Sequence, residues 1–140
     1  MSLWARLAGA ITGDDGLVEP AALGERVLDA LMPGEAPVLA AIGVRDGFLL
    51  TTHRLIATDR QGITGSKTAV TSIPWDSVTA WTIETGGTVE LDEEVVVEHR
   101  AGSLKMSFRR GTAAARLVQQ AVAEAVLGEQ GRRLEPRPGG

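Results

Sequence analysis

The residues most able to do chemistry in this chain are two histidines, an acidic triplet and several glycine pairs. His53 and His99 are the only histidines. A metal centre needs two or three such ligands in fixed geometry. Arg54 follows His53 directly, and its positive charge opposes a bound cation, so His53 is expected at the surface or in a turn. The densest acidic run is Asp92-Glu93-Glu94. Neighbouring carboxylates can do acid–base work or bind calcium. This run lacks the alternating oxygen ligands of a calcium loop and reads as a solvated turn. Ser72, His99 and Asp92 have the residue types of a nucleophilic triad, but no nucleophile-elbow motif accompanies them. Gly86-Gly87 and Gly62-x-x-Gly65 do not open a helix after a strand, which is the context a phosphate cradle needs, and they read as turns. No catalytic residue, metal ligand or cofactor site is assigned, and the chain is not expected to be an enzyme.

Composition narrows the remaining classes. The chain has 140 residues, 44% apolar and 23% charged, as in an ordinary single globular domain with one modest core. A net charge of −4 argues against nucleic acid as the main partner, because phosphate binding needs a basic surface. There is no cysteine, which excludes disulfides, Cys zinc sites and thiol chemistry. No apolar run approaches the roughly 18 residues that span a bilayer. The run Leu7 to Ile11 is too short for a signal peptide. A cytoplasmic protein is therefore expected.

The elements follow from periodicity. Leu3, Trp4, Leu7 and Ile11 fall at helical spacing. A membrane-surface helix would need several basic residues, and this segment has only Arg6. A second helix opens at Asp14-Asp15, carries Pro20 early and Leu23, Val27, Leu28 and Leu31 along one side, and stops at Pro33-Gly34. From Val38 the period becomes two. Val38, Ala40, Ile42 and Val44 share one face of a strand, and Asp46-Gly47 reads as a tight hairpin turn. Further strands are predicted at Phe48 to Thr51, Leu55 to Asp59, Lys67 to Ile73, Val78 to Thr85 and Glu93 to His99. A hairpin at Ala101-Gly102 leads to the last. There Leu104, Met106 and Phe108 point one way, while Ser103, Lys105, Ser107 and Arg109 point the other, so the sheet is buried on one face and wet on the other. Thr112 is the expected N-cap of a final helix with the stripe Ala114, Leu117, Val118, Ala121, Val122 and Ala125, and Gly128 is its C-cap.

The expected fold is mainly β. It has about seven antiparallel strands in two near-orthogonal sheets, as a sandwich or partly open barrel, with a C-terminal helix plugging one end. Residues 1–34 form a helical lead-in packed on the domain, 35–127 the β domain, and 128–140 a flexible tail.

The run from Phe48 to Gly62 contains Thr51-x-x-Arg54-Leu55-Ile56 and then Asp59-x-Gln61-Gly62. It resembles the core signature of the bacterial pleckstrin-homology-like family. Lys67, Ser72-Ile73-Pro74 before an aromatic residue, Glu84-Thr85-x-Gly87, Glu90-Leu91-Asp92, and Glu35 after a Pro-Gly turn extend the resemblance over roughly Leu17 to Leu127. The resemblance implies a pleckstrin-homology-like fold without known catalytic activity. It also implies cyclic homo-oligomers whose neighbouring sheets meet and create a shared polar, protein-binding surface. Arg54, Lys67, Glu84, Asp92, Lys105 and Arg109 are the candidate residues of that surface. The expected partners are copies of the same chain and an unidentified protein. A peripheral membrane or lipid-headgroup role is the alternative. Eukaryotic relatives that bind phosphoinositides use a long basic loop between their first two strands. Here that connection is Arg45-Asp46-Gly47, with one cation and an acid, so a membrane is not the expected partner.

Overall fold

The computed structural model describes residues 16–59, 69–85 and 92–128. The expected N-terminal helix around Trp4, the Asp14-Asp15 helix start, Lys67, both glycine-rich turns and the tail lie outside these residues.

Within them the chain forms two antiparallel sheets and a C-terminal helix. The first sheet has the order β1 (Leu17–Val18), β2 (Pro37–Ile42), β3 (Asp46–Thr51), β4 (Arg54–Asp59) and β5 (Val70–Pro74). A 3₁₀ turn at Trp75–Ser77 leads into the second sheet: β6 (Val78–Glu84), β7 (Asp92–His99) and β8 (Gly102–Arg109). Two short helical pieces, a 3₁₀ turn at Pro20–Leu23 and α1 (Glu25–Asp29), link β1 to β2, and α2 (Ala114–Leu127) closes the chain. All seven expected strands are present. The two sheets, however, are not closed into a barrel.

The main core lies between the sheets and beneath α2. Leu39, Ala41, Phe48, Leu50 and Leu55 from the first sheet meet Val95, Val97, Met106 and Phe108 from the second. Phe48 and Phe108 pack edge to face, with ring centroids 5.7 Å apart and planes at 64°, the arrangement favoured by the aromatic quadrupole. From α2, Ala114, Leu117, Val118, Ala121 and Val122 are buried, which matches the predicted stripe.

Three local expectations fail, each for a physical reason. The long helix through Leu31 does not form. Leu17–Val18 pairs with Ala40–Ala41 as an extra strand, and Gly24, at φ 100°, separates the 3₁₀ turn from α1. Even so, Leu23, Val27 and Leu31 share one side, and they cover a smaller cluster of Ala40, Leu49 and Ile56 on the outer face of the first sheet. Both faces of β2, β3 and β4 are therefore buried, with Leu39 and Ala41 in the main core and Ala40 in the outer cluster. The Asp46-Gly47 turn is also displaced. Both residues are in β3, with Ile42 opposite Gly47, and the turn is Val44-Arg45, closed by Gly43 N–H donating to Asp46 O at 2.8 Å. Gly47 serves packing instead: a Cβ there would lie 2.7 Å from Leu23 Cδ2. Thr112 is not the N-cap of α2. Ala113 holds that position, and the Thr112 hydroxyl donates to Arg109 O at 2.8 Å. Gly128 does cap α2, in a right-handed conformation.

The β2–β3 hairpin tip joins the sheets at one corner, where Val44 N–H donates to Ser107 O of β8 at 2.8 Å. Gly43 permits this approach, since a Cβ there would sit 2.6 Å from Ser107 O and 2.9 Å from Phe48 Cε2. Backbone cannot yield as a flexible side chain can, so Gly43→Ala is expected to cost about 1–3 kcal/mol of stability. Urea denaturation of the variant beside the parent measures it. An unchanged midpoint would mean that the corner opens freely.

Candidate interaction surface

The six candidate residues separate into two places and one outside the described residues. Arg54 sits at the start of β4 and is committed to internal bonds. Its Nε and Nη2 donate to Glu35 Oε2 and Oε1, both at 2.9 Å. Nη2 also donates to Ala30 O at 2.6 Å, and Nη1 to Ser72 Oγ at 3.0 Å. The Glu35 side chain is fully buried and Arg54's is 19% exposed. Glu35 also accepts from Thr51 Oγ1 at 2.6 Å and from Met32 N–H at 3.0 Å. Thr51 Oγ1 in turn accepts the amides of His53 and Arg54, and Trp75 Nε1 donates to Thr51 O at 2.8 Å. The Thr51-x-x-Arg54 signature and the distant Glu35 are thus one buried clamp that ties the β1–β2 connection to the β3–β4 turn and to β5. His53 lies exposed in that turn, with Nδ1 2.7 Å from Thr52 Oγ1.

The paired guanidinium, as hydrogen-bond donor, is the largest cause that holds the Glu35 carboxyl down at about 2, against the opposing effect of burial. A depressed carboxyl adds stability that is full above its unfolded value, 4.5, and is lost as the pH falls from there towards 2. Arg54→Ala leaves a buried carboxylate unpaired and is expected to cost about 3–5 kcal/mol at neutral pH. Because the orphaned carboxyl titrates higher, the gap between variant and parent should narrow below pH 4.5. Denaturant midpoints at pH 7 and pH 3 check both statements, and a parallel pH dependence would contradict the assignment to Glu35.

Glu84, Asp92, Lys105 and Arg109 are brought together on the outer face of the second sheet. Cross-strand partners in an antiparallel pair share a face. Glu84 is opposite Glu94, Ala80 opposite Glu98, Asp92 opposite Arg109 and Glu94 opposite Ser107. The alternate set, with Val95 opposite Met106 and Val97 opposite Leu104, points inward. The outer face thus carries Glu84, Asp92, Glu94 and Glu98 against Lys105 and Arg109, an excess of two acids. Lys105 Nζ bridges Glu94 Oε2 at 3.2 Å, a surface pair worth about 0–1 kcal/mol. The acidic triplet is therefore half-buried strand in β7 rather than a solvated turn. Glu94 and Glu98 were not among the candidates, although the alternation of Val95 and Val97 was the signal that places them.

Beside this face, under the β2–β3 tip, lies an open cavity of about 420 Å³ lined by Val44, Arg45, Asp46, Phe48, Asp92, Glu94, Lys105 and Ser107. Burial, and then the negative charge of Asp59, raise the Asp46 carboxyl above its usual range, with Arg45 opposing. Among the described residues no cluster of three metal-ligating side chains occurs, and no helix is long and apolar enough to cross a membrane.

Comparison with known proteins agrees with the layout. The model of the bacterial PH (pleckstrin-homology) domain family matches residues 7–126. The chain belongs to that family. A solved PH domain from Shewanella amazonensis SB2B superposes with a TM-score of 0.67 at 30% identity, covering 91% of this chain and all of the other. A PH-domain protein of the DUF1696 family from Shewanella loihica PV-4 gives 0.65 at 29%, covering 83% and 100%. The uncharacterized protein YjqA of Bacillus subtilis is 38% identical over 87 residues, 62% of this chain and 70% of its own. Membership in the bacterial PH family suggests a module without catalysis of its own.

Proposed function

We propose that this PH domain is a non-catalytic protein-interaction module that assembles with copies of itself into a closed ring. In that ring it presents the polar outer face of its second sheet at the junction of neighbouring protomers. The observation that carries this reading is the clustering of Glu84, Asp92, Lys105 and Arg109 on one face, where three of the four make no bond to another described side chain. Mixed charges held on a rigid sheet set register and exclude wrong partners more than they add affinity. Most soluble homo-oligomers close by a rotation axis.

A peripheral membrane role has one observation in its favour: Val44 is 45% exposed at the hairpin tip, beside Arg45. A single cation there offers few donors to a phosphate headgroup, so the interaction reading is preferred.

Light scattering over a hundredfold concentration range tests the assembly. The expected mass is a fixed multiple of 14.7 kDa. The double charge reversal Lys105→Glu with Arg109→Glu should lower that mass or make it salt-dependent while the circular dichroism spectrum stays that of the folded parent. A monomer mass throughout for the parent would overturn the proposal. Pelleting with anionic vesicles at low salt, where electrostatic attraction is strongest, would favour the membrane reading instead.

A further inference from the structure

The edges of the second sheet are treated unequally. The β8 edge receives the hairpin tip through the Val44–Ser107 bond. The β6 edge pairs with no further strand of the described residues: its one partner strand is β7, α2 packs against it, and Thr79, Ala80, Thr82, Ile83 and Glu84 are exposed. A bulge between Val78 and Ala80 disturbs only its first residues. From Ala80 to Glu84 the strand has no proline, no lysine and no inward-pointing charge, the usual devices that discourage pairing. Each outward N–H and C=O there is a ready rung for another strand.

We propose that this edge docks an extended segment of another protein, which adds as a fourth strand beside β6. The side chains around the edge specify its chemistry. On the inner side Trp81 is half-buried against the core and Ile83 is 38% exposed, so inward residues of the incoming strand are apolar. On the outer side β6 contributes only Ala80 and Thr82 before Glu84, and Glu98 stands behind Ala80 in β7. These small side chains leave Glu84 and Glu98 within reach of long basic ones. Unlike Glu94, which Lys105 neutralises, neither acid has a cationic partner among the described residues. The fitting segment alternates apolar residues with Lys or Arg. Backbone bonds supply affinity and the alternation supplies specificity. This inference does not need a ring, but Glu84 belongs to both surfaces, so a neighbouring protomer seated on it would compete with the peptide.

The test uses the full chain, labelled with ¹⁵N, and an end-blocked seven-residue peptide that alternates lysine and valine. Hydrogen exchange should slow at every second amide between Ala80 and Glu84 on addition of the peptide. Methylating the peptide's edge-facing amides removes its donors and should weaken binding about tenfold or more. Glu84→Lys should weaken it about threefold or more, since opposite charges directly across strands attract. A peptide with glutamate in place of lysine should not bind. Undiminished binding of the methylated peptide, or shifts without new protection at the edge, would overturn the proposal as mere charge attraction. Protection of the same amides in the free protein, rising with its concentration, would show that a second copy takes the edge, and would overturn it too. Light scattering on the same samples reports assembly separately.

Discussion

The two-pronged bond between Arg54 and Glu35 is the constraint on which the first sheet depends. A carboxylate with no solvent exposure is tolerable only when every lone pair is used. Glu35 meets that condition through Arg54, Thr51 and Met32. Satisfying it fixes the β3–β4 turn, places Ser72 of β5 and holds the chain after α1 against the sheet. With that segment in place, Leu23, Val27 and Leu31 can roof Ala40, Leu49 and Ile56. The sheet then has two apolar faces, which explains why β3 is buried along nearly its whole length. The Thr51-x-x-Arg54 stretch that carries the family resemblance is, in this chain, a device for folding.

The resemblance places Arg54 on the interaction surface, yet its fork is spent internally. The residues proposed to meet a partner are the modest alternating ones of β6, β7 and β8. They are polar because they face outward, and their arrangement on a rigid three-stranded sheet makes them a surface. A PH fold used in this way needs no pocket with a reactive group. In the proposed role it offers shape, charge sequence and, along β6, backbone.

Legibility varied with how many faces a strand buries. β8 buries one face, so the alternation of Leu104, Met106 and Phe108 with Ser103, Lys105 and Ser107 gave the inward set directly, and α2 was equally clear from its stripe. β2 buries both faces, and its period-two pattern no longer told which side held the larger core. Glycines misled for a related reason. Gly47 carries a turn-like sequence but serves the close approach of Leu23, and Gly24 broke a helix that its apolar spacing supported. The Glu35–Arg54 partnership spans 19 positions. Its residues were visible as separate motif elements, but only the folded chain joins them.

Each sheet is built from an uninterrupted stretch of chain, the first ending at Pro74 and the second beginning at Val78. Most pairings are therefore between neighbours in sequence, and each meander can form early with little loop entropy to overcome. The seam, where Phe48 meets Phe108 and the Gly43 corner settles on β8, joins residues far apart in sequence. The single crossing at Trp75–Ser77 then works as the spine of a book. The seam, and not the spine, is therefore what holds the two sheets shut against each other.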